Sequence, residues 1–266
     1  MSTTQVRKRP DPKRKPRTMS DLWSRAVASS DASTKPISAD VKLCDARELL
    51  ASLGDKSVDA VITDPPYGVD HESNSKYDDR RDGWEARIAY LLPEMLRVSR
   101  GPVFWFGASA TLHRDLAILK PDRVMIWAPK YRGLPVSSNN VFYKFETIYV
   151  WRVGSFAKPG KGEHKLVVHS DVMTENIHNR RDSFWDHPAT KPVPLMERLC
   201  RAAPPGGIVC DPFAGSGTTG VAAINVGRSF IGSEILPEYH DVATKRIAEA
   251  LAPWQAKIAR FAQSIS

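Results

Sequence analysis

The chain has 266 residues, 42% of them hydrophobic and 26% charged, which suits one α/β domain with insertions or two small domains. No apolar stretch approaches the roughly 18 residues that a membrane span needs, and the charged N-terminus lacks the apolar h-region of a signal peptide. Of the net charge of +8, most sits in residues 1–18, where seven Lys/Arg face a single acid, Asp11.

This basic arm is interleaved with proline, cannot pack a core and is expected to be disordered. Its field would attract a polyanion such as nucleic acid, or serve only to keep the chain soluble. Residues 21–29 form one short helical candidate before a polar linker. From residue 41 the text is dense. A strand is predicted over 41–44, ending at Asp45, then a helix over 46–53 and an apolar strand over 58–63 that leads into Asp64. Residues 68–83 are polar, charged and without apolar period, so they form a loop. A helix follows over 84–98, a short strand over 103–106, a helix over 110–119, and strands over 124–127 and 147–151. Residues 152–186 are rich in Lys, Arg, His, Gly and Ser and look like an inserted, surface-facing segment. Next come a helix over 192–203, a strand over 208–211, a helix over 218–226, a strand from 229 to Glu234, and a helix over 239–261 broken at Pro253.

Strands alternating with helices predict an α/β fold with a mostly parallel sheet and helices on both faces. Ligands of such sheets bind at the carboxyl ends of strands, near the point where strand order reverses. Asp45, Asp64, Asp211 and Glu234 all fall at predicted carboxyl ends. Cys44, Cys200 and Cys210 lie among apolar neighbours without a C-x-x-C pair, and read as reduced thiols of a cytosolic protein. Seven histidines without partners at ligand spacing give no metal site.

Two loops carry the chemistry. Gly215, Gly217 and Gly220 follow a predicted strand and open a helix. Glycines there let backbone N–H groups approach a ligand, and the helix dipole favours negative charge. Glu234 follows at the spacing of a ribose-binding acid. The triplet fits NAD as well as other adenosyl cofactors, and glycines that merely close a turn would look similar. In the other loop, Asp64-Pro65-Pro66-Tyr67, two prolines remove two N–H donors and hold the backbone extended. A carboxylate and outward carbonyls remain as acceptors, with an aromatic ring able to stack on a planar group. Acceptors plus a ring describe a pocket for an aromatic amine; a capped, Pro-rich turn is the plain alternative.

These residues resemble the amino-methyltransferases of DNA, enzymes that methylate N6 of adenine or N4 of cytosine. The family's catalytic signature, [DSN]-P-P-[YFW], stands at Asp64 to Tyr67, and its cofactor loop, D-P-F-x-G-S-G-T, at Asp211 to Thr218. The catalytic motif comes first, which is the permuted order of the β group. A third element, H-P-x-x-K-P, stands at His187 to Pro192. The resemblance covers about residues 40–250. It implies a Rossmann-like, class I, seven-stranded sheet in a domain over 39–266, preceded by the arm and linker of 1–38, and S-adenosylmethionine as cofactor. Asp64 and the Pro65 carbonyl would hold the target amine, with Pro66 completing the motif and Tyr67 stacking on an extruded base. Phe213, Ala214, Gly215, Ser216, Gly217 and Thr218, behind Asp211, would wrap the cofactor. Glu234 would bind its ribose, Asp45 would lie by its adenine, and Lys191 would reach its carboxylate.

The segment 152–186 occupies the place of the family's target-recognition region. Lys158, Lys161, Lys165, Arg180 and Arg181 would meet phosphates there, and Asn176, His178 and Asn179 would read base edges; a merely solvated loop is the alternative. Lys76, Arg80 and Arg81, in the loop 68–83, would close over the base. The implied partner is double-stranded DNA, in the cytoplasm of a bacterial or phage-infected cell and associated with its nucleoid. A homodimer and a cognate restriction endonuclease are further expectations of the resemblance. Asp at the head of the catalytic motif leans toward adenine, since Ser is commoner there among cytosine-N4 members. The rivals are cytosine-N4 methylation, an RNA methyltransferase (disfavoured by motif order) and a non-catalytic DNA-docking module.

Overall fold

The computed structural model describes residues 37–68, 83–129, 145–154, 172–175 and 190–265, with side chains described as far as residue 256. The basic arm, the helical candidate over 21–29, the arginines and lysine of the loop 68–83, and the phosphate- and base-reading candidates from Lys158 to Arg181 lie outside these. His187 of the third motif does too.

The described strands form one sheet of eight. They are β1 (Ala39–Leu43), β2 (Ala60–Thr63), β3 (Pro102–Ala108), β4 (Arg123–Trp127), β5 (Glu146–Arg152), β6 (Val172–Met173), β7 (Ile208–Asp211) and β8 (Ser229–Glu234), in the spatial order β1-β8-β7-β2-β3-β5-β4-β6. All neighbours are parallel except β5, which runs against both β3 and β4. The expected seven strands thus become eight. The addition, β6, pairs with β4 at the sheet edge and comes from within the segment read as an insertion. Two residues carry no period, so nothing in the sequence marked it.

Every residue of β2 is buried, as are six of the seven in β3. Such continuous apolar runs are what a strand covered on both faces requires. Alternate side chains supply two cores, as the period of two in a strand dictates. Ile62, Phe104, Phe106 and Val209 face α4 (Val193–Cys200), α5 (Thr218–Asn225) and α6 (Pro237–Ile265). Val61, Val103, Trp105 and Cys210 face α1 (Ala46–Ser52), α2 (Trp84–Val98) and α3 (Leu112–Leu119). A 3-10 turn, Ser109–Thr111, leads into α3, so the helix predicted over 110–119 begins as a tighter coil.

The break expected at Pro253 is absent: α6 runs through it. Proline removes one N–H and crowds the carbonyl four residues back, which bends a helix or ends it. Here Ile247 before it and Trp254 after it pack on the same core, so tertiary contact carries the helix across. Among the described residues, no helix is long and apolar enough to cross a membrane.

Topology positions the site. From β7 the chain proceeds through α5 to β8 on one side; from β2 it proceeds through α2 to β3 on the other. The carboxyl ends of β2 and β7 therefore flank the point at which strand order reverses, where α/β sheets open a crevice.

Candidate active site

Asp64 to Tyr67 leave the end of β2. Arg114, from the first turn of α3, donates from Nη2 to the Tyr67 carbonyl at 2.7 Å and from Nη1 to the Gly68 carbonyl at 3.0 Å. Its guanidinium lies 3.8 Å from the centre of the Trp84 ring. On its other side it pairs with Asp115, at 2.8 Å. Asp115 is itself buried and accepts from the hydroxyls of Thr111 and Tyr149. The exit of the tetrapeptide is thus clamped by a planar donor whose own position is fixed on three sides.

Asp64 sits in a compact charged cluster. Lys191 Nζ is 2.5 Å from Asp64 Oδ2, 3.0 Å from Glu146 Oε2 and 3.1 Å from the Tyr67 hydroxyl. An ammonium has three N–H donors, and these contacts occupy all of them. The Tyr67 hydroxyl also meets Asp64 Oδ1, and stands 3.3 Å from Glu146 Oε2. Lys191 is only 7% exposed. Burial pulls its pKa down, but the Asp64 and Glu146 carboxylates outweigh that, so it is raised and the ammonium keeps its proton. Burial, with Asp64 and Glu146 next to it, holds the Tyr67 phenol well above its usual range.

Lys191, which the resemblance would bring to a cofactor carboxylate, rests its ammonium on the partly buried Asp64 and Glu146. Glu146 was not anticipated at all. Ligands of α/β sheets are expected at the carboxyl ends of strands, whereas Glu146 begins β5. Because β5 is antiparallel, its first residue arrives at the edge where the parallel strands end: it pairs with Ala108 and Trp127, the last residues of β3 and β4.

The second loop leaves the end of β7. Asp211 is 2% exposed and its carboxylate is fully engaged. Oδ1 accepts from Thr63 Oγ1 at 2.9 Å and from the Phe213 N–H at 3.0 Å, while Oδ2 accepts from Thr219 Oγ1 at 2.6 Å. Burial nevertheless pushes its pKa up to about 7. Glu234, at the end of β8, accepts from the Gly215 N–H and the Leu236 N–H, each at 2.9 Å. Its pKa is raised, again chiefly by burial. Arg246 of α6 donates to the Ser216 carbonyl at 2.6 Å, and to the hydroxyls of Ser216 and Thr218. Sequence reading missed Arg246, which stands within an ordinary amphipathic helical pattern.

These contacts hold the loop as a preformed cradle. Phe213 and Gly215 are its partly exposed members; Asp211, Ala214, Ser216, Gly217 and Thr218 are buried. Gly217, at the N-cap of α5, has φ +81, and a Cβ there would lie 2.8 Å from Ala243 Cα. A Cβ on Gly220 would meet the Ile247 and Phe230 side chains. Both glycines thus serve close packing of α5, in addition to the ligand approach expected from sequence. Asp45, at the end of β1, caps α1: Oδ1 accepts from the Arg47 N–H at 2.8 Å and from Arg47 Nε at 2.9 Å. Its neighbour Leu43 pairs with Glu234, so Asp45, Glu234 and the Phe213 loop share one end of the sheet. Two carboxylates and a helix N-terminus around a partly open turn fit a ligand that carries a ribose and an amino-acid moiety.

Known proteins are similar to this chain in sequence and in fold. The N6/N4 family model, described as DNA methylase, matches residues 58–245, a span that holds both loops. The putative methylase YubD of Escherichia coli (strain K12) is 30% identical over 219 residues, covering 77% of this chain and 88% of that protein. The type II methyltransferase M.BglII of Bacillus subtilis is 27% identical over 242 residues, covering 75% of this chain and 66% of its own length. Among solved structures, TTHA0409 of Thermus thermophilus, complexed with S-adenosyl-L-methionine, is 26% identical with a TM-score of 0.56, covering 81% of this chain and 96% of that one. The cytosine-N4-specific PvuII DNA methyltransferase, at 18% identity, shares the fold with a TM-score of 0.61, over 82% of this chain and 92% of its own. With the family model spanning most of the chain and both loops in place, the chain belongs to the N6/N4 DNA methylase family.

Proposed function

We propose that this DNA methylase transfers a methyl group from S-adenosylmethionine to N6 of adenine in double-stranded DNA, by direct in-line attack on a base turned out of the duplex. The observation that carries the reading is the hydrogen bond between Thr63 and Asp211, which binds the end of the strand before the amine loop to the end of the strand before the cofactor loop. S-adenosylmethionine, bound in the cradle, supplies an electrophilic methyl on a sulfonium. Phe213 to Thr218 would wrap it, Glu234 would take the ribose hydroxyls and Asp45 would lie by the adenine.

The rest is positioning and electrostatics. Asp64 and the Pro65 carbonyl accept the two N–H bonds of the target amine, which aims the nitrogen lone pair at the methyl. As the new N–C bond formed, the methyl–sulfur bond would break and leave a neutral thioether, and the nitrogen, now positively charged, would release one proton, for which Asp64 is the adjacent carboxylate. Tyr67 stacks on the extruded ring. Leaving the stack takes a few kcal/mol, roughly, for a paired base, and the basic residues Lys76, Arg80, Arg81, Lys158, Lys161, Lys165, Arg180 and Arg181 are proposed as the phosphate contacts that offset it. The preference for adenine rests on Asp at the head of the motif.

The test is to incubate the protein and labelled S-adenosylmethionine with unmethylated duplex DNA and, in parallel, with RNA, digest each nucleic acid, and identify the labelled nucleoside by mass spectrometry. N6-methyldeoxyadenosine is expected. N4-methyldeoxycytidine would move the activity to the other branch of the family, and label only in an RNA substrate would refute the DNA assignment.

A further inference from the structure

Resting on that reading of the Asp64 loop, we propose that Glu146 sets the charge of the amine-binding site, its carboxylate offsetting the Lys191 ammonium so that Asp64 meets the target amine within a net anionic cluster. Lys191 is the obstacle. Its Nζ lies 2.5 Å from the very carboxylate that must receive the amine. Asp64 and Lys191 alone are a neutral pair, and a buried cation beside the reacting nitrogen opposes the positive charge that develops there. Glu146, 3.0 Å from the same ammonium and with its side chain 14% exposed, changes the balance. Among the described residues, the cluster of Asp64, Glu146, Lys191 and the neutral phenol of Tyr67 carries one net negative charge. Glu146 also gives Lys191 a second carboxylate to rest on when Asp64 turns to the amine. It acts through Lys191 and through the field of the site rather than by touching the base, and is in that sense a positioning residue.

Glu146→Gln keeps the shape and removes the charge. At neutral pH its kcat should fall about 10- to 100-fold, as the loss of one close charge in a site of low effective dielectric predicts, with the KM for S-adenosylmethionine little changed. The pH profile separates this from a structural role. Among the described residues, the groups that face Lys191 are Asp64 and Tyr67 from the loop after β2 and Glu146 from β5, with the Phe106 ring of β3 5.1 Å from Nζ. Without Glu146, burial weighs more heavily against the ammonium, so Lys191 loses its proton at lower pH than in the wild type. A neutral Lys191 leaves Asp64 as the one charge of this cluster among the described residues and restores the anionic site. The variant's kcat should therefore climb with pH, between about pH 7 and 10, more steeply than that of the wild type. Glu146→Asp retains the charge and should keep most of the rate and the wild-type profile.

Wild-type kcat in Glu146→Gln overturns the inference, as does a loss with no alkaline recovery, or a Glu146→Asp variant as impaired as the amide. Wild-type protein that transfers no methyl group to DNA would overturn the reading of the Asp64 loop itself, and this inference with it.

Discussion

Thr63 Oγ1 donates to Asp211 Oδ1 at 2.9 Å, joining residues 148 positions apart. Both are buried, at the ends of adjacent strands. The contact makes the placement of the amine loop depend on the placement of the cofactor loop. Thr63→Val keeps the shape and deletes the donor, leaving a buried carboxylate short of one partner. Such a loss typically destabilises by about 1–3 kcal/mol. Chemical denaturation should show the midpoint falling for Thr63→Val and largely recovering in Thr63→Ser. An unchanged midpoint in the valine variant would mean that the bond carries no weight.

Asp211 should make stability depend on pH. Burial pushes its pKa up to about 7, against the bonds from Thr219, the Phe213 N–H and Thr63 that favour the ionised form; Asp64 adds to the rise. Above the ordinary carboxylate value of 3.8 the unfolded chain has released this proton while the folded chain keeps it. Folding then binds a proton, so this group's contribution to stability falls as pH rises from about 4 to about 7, and levels off above. Denaturation midpoints of wild type and Asp211→Asn, compared across that window, should converge or cross in the direction of a weakening wild type. Parallel curves would show Asp211 ionised throughout.

Arg114 offers a test of positioning without contact to the amine. Its two donors fix the carbonyls of Tyr67 and Gly68 while its face stacks on Trp84. Lysine cannot reproduce a planar fork that serves two carbonyls and a ring. Arg114→Lys should lower kcat by about 10- to 100-fold, the scale of a misplacement near 1 Å, while cofactor affinity, measured by calorimetry, stays near the wild-type value. A large loss of cofactor affinity with kcat intact would contradict the assignment.

Gly217 distinguishes a ligand cradle from a packing contact. From sequence, a side chain there would intrude on the ligand. In the structure a Cβ meets the backbone of Ala243 at 2.8 Å, and the residue sits at φ +81. Gly217→Ala should therefore destabilise the apo protein, by about 1–3 kcal/mol for the strained backbone and more for the overlap. Thermal melting without cofactor checks this. An apo protein as stable as wild type would place the glycine's role with the ligand alone.

What was legible in the sequence follows from period and order. The runs behind Asp64 and Asp211 are apolar because β2 and β7 are covered on both faces, so the strands and the acids at their ends could be located without coordinates. Glu146 could not, because an antiparallel strand presents its first residue at the edge where parallel strands present their last. Lys191 was legible as a motif member, but not by its partners, since β5 brings the second carboxylate across the sheet. Pro253 misled for the opposite reason: local propensity favours a break, and the contacts of Ile247 and Trp254 decide otherwise.

The central claim is that the two loops form one site for methylating an exocyclic amine of DNA. Its most direct test is to produce the wild type and Asp64→Ala in a host that lacks DNA methylation and to map modified bases by single-molecule sequencing. N6-methyladenine at one recurring sequence with the wild type, and none with the variant, is the predicted result. Unmodified DNA from the wild type, or equal modification from both proteins, would contradict it.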